Sequence, residues 1–271
     1  CVSNSLVINT GSPQGCVLSP SLYTLYTNDC RTQSENTKLV KFADDSALLG
    51  LIKDDDDTEY QTEISRLTQW CTANNLDMNI GKTKEMLCDY RKKSTPPPLV
   101  EIDGREVERV DEYKYLGTLI TSDLSWTTHI DSTIKKCHSR LYFLRKLRQF
   151  GVSQTILTMF YRASIESILT YNFITWYSAA GAENKDRIGK ITHRAEKVTG
   201  CDLPHIDSLF PTRIKKKVGR ITKDPSHPLH GHFQLLPSNR RYRSVKSRTS
   251  RFLNTFIPSA IRVLNSSKLE M

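Results

Sequence analysis

Two adjacent carboxylates between two apolar runs constrain the fold of this chain more than any other feature. The runs, residues 37–40 and 47–52, have the composition of β-strands, so Asp44 and Asp45 lie at the tip of a predicted buried hairpin. Two like charges this close cannot both stay ionised away from water unless a cation neutralises them. The pattern predicts a divalent-metal site of the kind that phosphoryl transfer needs. An ordinary turn is the alternative, because aspartate is a common turn residue.

Length and composition fit a soluble globular protein with one large domain or two smaller ones. The chain has 271 residues, of which 38% are hydrophobic and 8% aromatic, and no apolar run is long enough to span a membrane. Seven scattered cysteines without a CxxC pair predict a reduced intracellular compartment, in the nucleus or cytoplasm. The chain begins with Cys1 and shows no signal-peptide pattern, so we expect a fragment of a longer protein.

The positive charge is concentrated at the C-terminal end. Residues 205–271 contain fourteen Lys or Arg and three Asp or Glu, a net charge of +11, whereas the first 204 residues carry −1. This polarity predicts a nucleic-acid partner for the tail, with a solvated basic face as the alternative. Phe233 and Tyr242 are candidates for stacking on bases. The predicted nucleic-acid-binding residues of the tail are Arg240, Arg241, Arg243, Lys246 and Arg248.

Further motifs flank the carboxylate pair. A Gly-Ser-Pro-Gln-Gly turn at 11–15 precedes a predicted helix at 19–29, and a helix N-terminus after a glycine turn suits a phosphate or a nucleotide base. Downstream, an amphipathic helix is predicted at 58–74, with four aspartates before it that favour its N-terminus. A Gly-Lys-Thr-Lys turn at 81–84 then lies between predicted strands at 76–80 and 85–90. Its lysines could meet a phosphate or remain solvated.

The second half of the chain turns helical. A hairpin about Asp103-Gly104 and one strand at 113–120 are predicted first. From Trp126 onward, apolar residues recur at helical spacing, and one predicted helix covers 182–198. After Gly200 the sequence is rich in proline, histidine and arginine, which favours an irregular chain. The predicted fold class is α+β.

The order of these motifs resembles the reverse transcriptases of non-LTR, LINE-type retrotransposons over nearly the whole chain. The Gly-Ser-Pro-Gln-Gly turn and its helix resemble the palm loop that touches template and nucleotide. Phe-Ala-Asp-Asp at 42–45 resembles the catalytic hairpin, and Gly-Lys-Thr-Lys at 81–84 resembles the next palm motif. Tyr115, Leu116 and Gly117 resemble the primer-grip hairpin.

The resemblance implies a two-metal mechanism. Two Mg²⁺ ions would assist attack of a primer 3′-hydroxyl on the α-phosphate of a nucleotide. Asp44 would be the leading metal ligand, with Asp45 assisting it, Gln14 and Gly15 lining the nucleotide and template pocket, and Lys82 near the phosphates. The implied partners are an RNA template and a DNA primer or target, with no membrane and an open oligomeric state.

The resemblance also implies an architecture. A truncated palm with an antiparallel sheet would cover 1–122, a helical thumb-like region 123–204, and a basic, partly disordered tail 205–271. The family has a further palm aspartate, expected before Gly11, but none of the ten residues there is acidic. We therefore expect this chain alone not to polymerise.

Two alternatives come from other functional classes. The first is a nucleic-acid-binding remnant without catalysis. The second rests on residues 61–93, which resemble a segment of the N-terminal domain of an AlkB-homologue tRNA-modifying enzyme. A 2-oxoglutarate dioxygenase binds Fe(II) through His-x-Asp and a distal histidine, and His205-Ile206-Asp207 has that spacing. Zinc binding by Cys201 and the histidines at 227, 230 and 232 is a further option, although their spacing fits no zinc motif.

Overall fold

Two separate units divide the chain between Asp111 and Glu112, and each unit has its own apolar core. The structure is a computed structural model that describes residues 11, 15–91 and 95–267. The sequence predicted the first boundary at residue 122, eleven residues further along, and its three-domain assignment remains a prediction. In the described part of the chain, no helix combines the length and apolarity that a bilayer crossing needs.

The first unit combines two helices with short β-ladders. Strands β1 and β2 pair antiparallel, as do β4 and β5 about Asp103-Gly104, whereas β3 pairs with β6 in parallel. Its elements are α1 (Ser19–Tyr26), β1 (Thr37–Phe42), β2 (Asp45–Gly50), α2 (Thr58–Ala73), β3 (Lys84–Glu85), β4 (Glu101–Ile102), β5 (Arg105–Glu106) and β6 (Glu108–Arg109).

A small core holds these elements together. Ile64 on α2 packs with Val100, Ile102 and Val107, all of them buried. Leu48 is the residue of the β1–β2 hairpin that packs against this cluster, and it is only partly buried. The core therefore reaches one side of the hairpin and leaves most of the hairpin in solvent.

Two predicted strands of the first unit do not form as expected. Of the ranges 76–80 and 85–90, only Glu85 lies in a strand, the two-residue β3. The carbonyl of Asn79 accepts hydrogen bonds from the amides of Lys82 and Thr83, and its side-chain oxygen also accepts the Lys82 amide. These bonds fold residues 79–83 into a turn, which takes the end of the first range out of an extended conformation.

The second unit is mainly helical. A short antiparallel hairpin, β7 paired with β8, precedes α3, which packs along α7. The elements are β7 (Glu112–Tyr115), β8 (Thr118–Thr121), α3 (Thr127–Gln149), α4 (Gln154–Tyr161), a π-helical turn (Arg162–Glu166), α5 (Ser167–Leu169), α6 (Phe173–Trp176), a 3₁₀ turn (Tyr177–Ala179), α7 (Ala182–Thr199), α8 (Ile206–Lys223), a second 3₁₀ turn (His230–His232), α9 (Ser250–Leu253) and α10 (Phe256–Ser267). With helices and short sheets in separate segments, the fold class is α+β, as predicted.

The single strand predicted at 113–120 is a hairpin instead. Leu116 and Gly117 both have positive φ, +46° and +80°, and they reverse the chain between β7 and β8. Two positive φ values in a two-residue loop are typical of a type I′ turn. The strand pattern did not predict a turn at this position because leucine rarely adopts such a φ.

Helices α8 and α10 pack into the core of the second unit, contrary to the irregular tail predicted after residue 205. Helix α8 buries an apolar stripe at four- and three-residue spacing: Ile206, Phe210, Ile214, Val218 and Ile221. Ala260 and Ile261 of α10 join the same core. Pro211 lies inside α8, and an internal proline ordinarily argues against a helix because it lacks an amide hydrogen. Here tertiary burial of the stripe outweighs that local preference.

Candidate active site

The carboxylate pair sits in a tight hairpin turn. Six residue pairs join β1 and β2, from Thr37 opposite Gly50 to Phe42 opposite Asp45. Ala43 and Asp44 therefore form the two-residue loop, and Asp45 begins β2. Ala43 has a φ of +52°, a value that hairpin loops of this length commonly require. The register thus fixes both aspartates at one end of the ladder.

Both aspartates are exposed, which corrects the prediction of a buried hairpin tip. Phe42 is also 62% exposed, so the tip lacks an apolar cover in this structure. The physical reason is the small core, which contacts the hairpin through Leu48. The pair therefore needs no cation in order to fold, but its oxygens are open to one.

Helix α1 lies close to this tip. Lys41 on β1 donates from Nζ to the carbonyls of Thr27 and Cys30, the latter at 3.0 Å, just after α1 ends. These hydrogen bonds tie β1 to the turn that follows α1. The pKa of the Tyr23 hydroxyl on α1 is raised, first by burial and then by the negative charge of Asp44. Helix α1, which follows the glycine turn, and the carboxylate hairpin therefore lie close together.

Glu63 anchors the entry to the hairpin, and sequence reasoning missed it. Its side chain is only 4% exposed, and Oε1 accepts the amides of Gln33 and Ser34 at 3.1 Å each. Arg66 completes the cluster with an ion pair of 2.6 Å. A signal existed in the sequence, since Glu63 stands beside Ile64 on the apolar face of α2. A buried carboxylate with two amides and an arginine holds its loop firmly.

The remaining predicted nucleotide-site residues have different outcomes. Gln14 lies outside the described residues. Gly15 has a φ of +80°, which fits the predicted glycine turn. Lys82 is exposed in its turn, whereas Lys84 forms an ion pair with Glu108 and so has a structural role. Within the described segments, no hydrogen bond or ion pair joins Lys82 to the carboxylate pair.

The residues present fit a divalent cation in kind but not in number. Carboxylate oxygens are the ligands that Mg²⁺ prefers, and Asp44 and Asp45 supply two such groups. Among the described residues, however, no three His, Cys, Asp or Glu side chains lie close enough together to hold a metal. The acidic run before α2 makes other contacts, such as the 2.7 Å ion pair of Asp55 with Arg91.

Comparison with known proteins shows which polymerases this chain resembles in sequence. The family model described as reverse transcriptase (RNA-dependent DNA polymerase) matches residues 2–120. A probable RNA-directed DNA polymerase from transposon BS of Drosophila melanogaster is 26% identical over 85% of this chain and 27% of its own length. The polymerase of the mobile element jockey of Drosophila funebris is 30% identical over 52% of this chain and 16% of its own length. The chain is therefore similar in sequence to the RNA-directed DNA polymerases of these mobile elements.

A third relative widens the similarity and shows its limit. A probable RNA-directed DNA polymerase from transposon X-element of Drosophila melanogaster is 28% identical over 74% of this chain and 23% of its own length. The chain thus spans between 16% and 27% of the length of these three reverse transcriptases. No solved structure gives a significant match.

The likeness to an AlkB homologue lies elsewhere than predicted. The family model described as alkylated DNA repair protein alkB homolog 8, N-terminal, matches residues 126–167, not 61–93. In the structure these residues form α3, α4 and the π-helical turn, followed by the start of α5. The match also excludes His205-Ile206-Asp207, so it gives the dioxygenase hypothesis no support.

The proposed iron and zinc ligands have other partners. Asp207 Oδ1 accepts the Tyr177 hydroxyl at 2.6 Å, whereas exposed His205 lies 3.7 Å from Glu196 Oε1. His230 Nδ1 lies 3.2 Å from the carbonyl of Ile221. As stated above for the described part of the chain, no metal-holding cluster forms.

The basic segment, residues 240–248, is attached to α10 through its backbone, and its cationic side chains are exposed to solvent. All five predicted nucleic-acid-binding side chains are exposed: Arg240, Arg241, Arg243, Lys246 and Arg248. Asn265 on α10 accepts from the amide of Tyr242 at 2.8 Å and donates to its carbonyl at 3.1 Å. Phe233 is 6% exposed and meets the Tyr242 ring edge-on at 6.3 Å. Phe233 belongs to the core, so the base-stacking prediction is wrong for this ring, whereas Tyr242 packs against the core and is only partly buried.

Proposed function

We propose that this chain is part of the RNA-directed DNA polymerase of a LINE-type retrotransposon, and that Asp44 and Asp45 belong to its nucleotidyl-transfer site. The observation that carries the proposal is the exposed carboxylate pair at the tip of a fully paired hairpin. The partners would be an RNA template and a DNA primer or target. Gln14 and Gly15 would line the nucleotide and template pocket.

The two aspartates would hold Mg²⁺ through their carboxylate oxygens. Bound there, Mg²⁺ would supply charge stabilisation for the phosphate and acidify the attacking hydroxyl. The hairpin register would keep the two carboxylates in fixed relation, and Lys82, exposed and free of any ion pair among the described residues, would attract the phosphates. Tyr115, Leu116 and Gly117 would contact the primer strand.

A further carboxylate must complete this donor set. Two adjacent aspartates cannot surround two cations, and the described residues contribute no third group to the site. We infer that the missing ligand comes from another palm segment of the polymerase. Residues 1–271 alone should then bind Mg²⁺ weakly and extend no primer; Mg²⁺-dependent nucleotide incorporation by this chain would contradict the inference.

Primer extension by a longer polymerase that contains this chain tests the site. Asp44→Asn should lower extension by roughly 10²–10³-fold or more, because it removes a charge that acts on the reacting phosphate. Asp54→Asn is the matched control, since Asp54 is an exposed aspartate whose φ of +54° asparagine tolerates. Full activity of Asp44→Asn would refute the assignment of Asp44.

The Tyr23 ring offers a readout of metal binding in the chain itself. The negative charge of Asp44 reaches its hydroxyl and, after burial, helps to raise the pKa of Tyr23. ¹³C chemical shifts of labelled tyrosines in residues 1–271, recorded near neutral pH where Mg²⁺ stays in solution, should change at Tyr23 when Mg²⁺ binds, and Asp44→Asn should remove that change. A Tyr23 signal that does not move at high Mg²⁺ would place the cation elsewhere.

The exposed cations of the basic segment favour a second candidate function. Five outward Arg and Lys side chains on an anchored backbone suit sequence-independent contacts with nucleic-acid phosphates. On this proposal the C-terminal unit binds nucleic acid whether or not the hairpin site is complete.

A further inference from the structure

The tip of the β7–β8 hairpin is held in an unfavourable conformation. Leu116 has a φ of +46°, in the left-handed region that a leucine rarely enters. Such residues persist only where surrounding contacts impose the conformation, and they concentrate at functional sites. The next residue, Gly117, has a φ of +80° and is exposed. The strained backbone is thus in a surface turn, where the conformation does not serve to place a side chain in the core.

Two consecutive side chains grip this tip. The Tyr171 hydroxyl donates to the carbonyl of Leu116 at 2.6 Å, the carbonyl of the strained residue. Asn172 Nδ2 donates to Thr118 Oγ1 at 3.2 Å, on the other side of the turn. The Tyr171 ring also lies 3.3 Å from where a Cβ on Gly117 would be, so a larger residue there would press on the ring.

Tyr171 is itself held by a residue in the core of the second unit. Trp176, fully buried, donates from Nε1 to the carbonyl of Tyr171 at 3.2 Å. Its ring also meets His129 edge-on at 5.4 Å, and His129 Nδ1 accepts the amide of Leu119 at 3.3 Å. One buried tryptophan therefore fixes both the turn and the second strand of the hairpin. The tip is connected to rigid structure although its residues are at the surface.

Part of this contact network lies at the surface. Tyr171 remains 52% exposed and places its hydroxyl on a surface carbonyl. On β7, Lys114 is also exposed and has no ion-pair partner in the described segments, while the exposed Glu112 on the same strand balances its charge within the hairpin. A rigid tip with an exposed lysine beside it can contact a phosphate backbone.

We propose that Tyr171 and Asn172 are positioning residues, which hold Leu116 and Gly117 so that the hairpin engages the 3′ end of a primer strand. The proposal rests on the proposed polymerase function. Tyr171 acts through the Leu116 carbonyl, so its hydroxyl sets the angle of the tip. Loss of that hydrogen bond leaves the hairpin paired but lets its turn move.

Binding by residues 1–271 tests this role. The probes are a DNA primer annealed to a longer RNA, with a recessed 3′ end, and a blunt hybrid of equal duplex length. The measured quantity is the ratio of the two dissociation constants at fixed salt. Tyr171→Phe should reduce the preference for the recessed end by roughly 3–10-fold, the effect of one lost hydrogen bond. Tyr142→Phe, an equally exposed tyrosine on α3, is the matched control and should keep the preference.

Hydrogen exchange separates positioning from loss of fold. In Tyr171→Phe, amide exchange should accelerate at 113–121 and stay unchanged along α3 and α7. Asn172→Gly keeps the left-handed φ of +50° and removes the contact with Thr118, so it should act in the same direction. Unchanged exchange, or faster exchange with an unchanged preference, would overturn the positioning role. If the wild-type chain does not prefer recessed ends, the primer-contact part of the proposed function fails instead, and the inference with it.

Discussion

His129 is kept neutral by its surroundings in the second unit. Its side chain is 7% exposed and lies edge-on to Trp126 at 6.2 Å and to Trp176 at 5.4 Å. Burial, and secondarily the charge of Lys136, lowers the pKa of the imidazole. The neutral form is required, because Nδ1 accepts the amide of Leu119 and a protonated ring could not.

The lowered pKa of His129 predicts a stability loss in acid. Its contribution is complete above the unfolded pKa of about 6.5 and is lost as the pH falls toward the lower folded pKa. His129→Asn keeps an acceptor but cannot titrate, so urea unfolding between pH 5 and 7 should show a smaller pH slope, by up to one proton. His138, whose pKa burial also lowers, leaves a residual slope. An unchanged slope in His129→Asn would contradict this.

At the scale of elements, the ring of Tyr60 on α2 packs against Gly50, the last residue of strand β2. A Cβ on Gly50 would overlap Cδ2 of the Tyr60 ring, closer than real contacts allow. Burial raises the pKa of the Tyr60 hydroxyl, as expected for a packed ring. The glycine therefore lets the hairpin lie directly against the helix, which the sequence did not reveal.

Gly50→Ala should destabilise the first unit by about 1–3 kcal/mol, the usual cost of overpacking. Urea unfolding of residues 1–271, followed through the fluorescence of Trp70 on α2 in a Trp126→Phe/Trp176→Phe background, reports this unit. Gly81→Ala is the control, since its Cβ would meet its nearest neighbour at an ordinary 3.7 Å. Equal unfolding midpoints for the two variants would mean that the ring moves aside without cost.

Across the whole molecule, the two ends of the sequence carry different electrostatic roles. Residues 205–271 carry a net charge of +11. Much of this charge lies on a folded segment, because α8 and α10 pack in the core while their polar faces stay outside. Exposed cations recur along α8 opposite its apolar stripe: Arg213, Lys216, Arg220 and Lys223. A folded cationic surface holds its charges at fixed spacing.

Binding of nucleic acid by residues 1–271 should therefore weaken steeply with salt. Arg241→Gln with Arg243→Gln should reduce the slope of log K against log salt by about 1.4–1.8, since each lost phosphate contact removes roughly 0.7–0.9. Fluorescence anisotropy with a labelled oligonucleotide measures the slope. Lys190→Gln is the control, because Lys190 already pairs with Asp186 at 2.6 Å. A flat salt response of the wild type would refute a nucleic-acid surface.

The sequence by itself determined the elements whose signals are local. Apolar spacing located α2, which runs from Thr58 to Ala73 against a predicted 58–74, and it identified the buried stripe of α3. The alternation of strand-forming runs around Asp44 and Asp45 located the β1–β2 hairpin. Periodicity and turn chemistry act over a few residues, so they can be read without a structure.

Only the tertiary structure decided what these elements contact. The exposure of the carboxylate pair depends on the size of the first core, which no local pattern reports. Glu63 holds amides thirty residues earlier in the chain, and Tyr171 grips a carbonyl fifty-five residues earlier. Burial of the C-terminal helices likewise outweighed Pro211. Contacts between distant residues depend on packing, and for this reason the sequence located the hairpin of the candidate site but not the side chains that hold it.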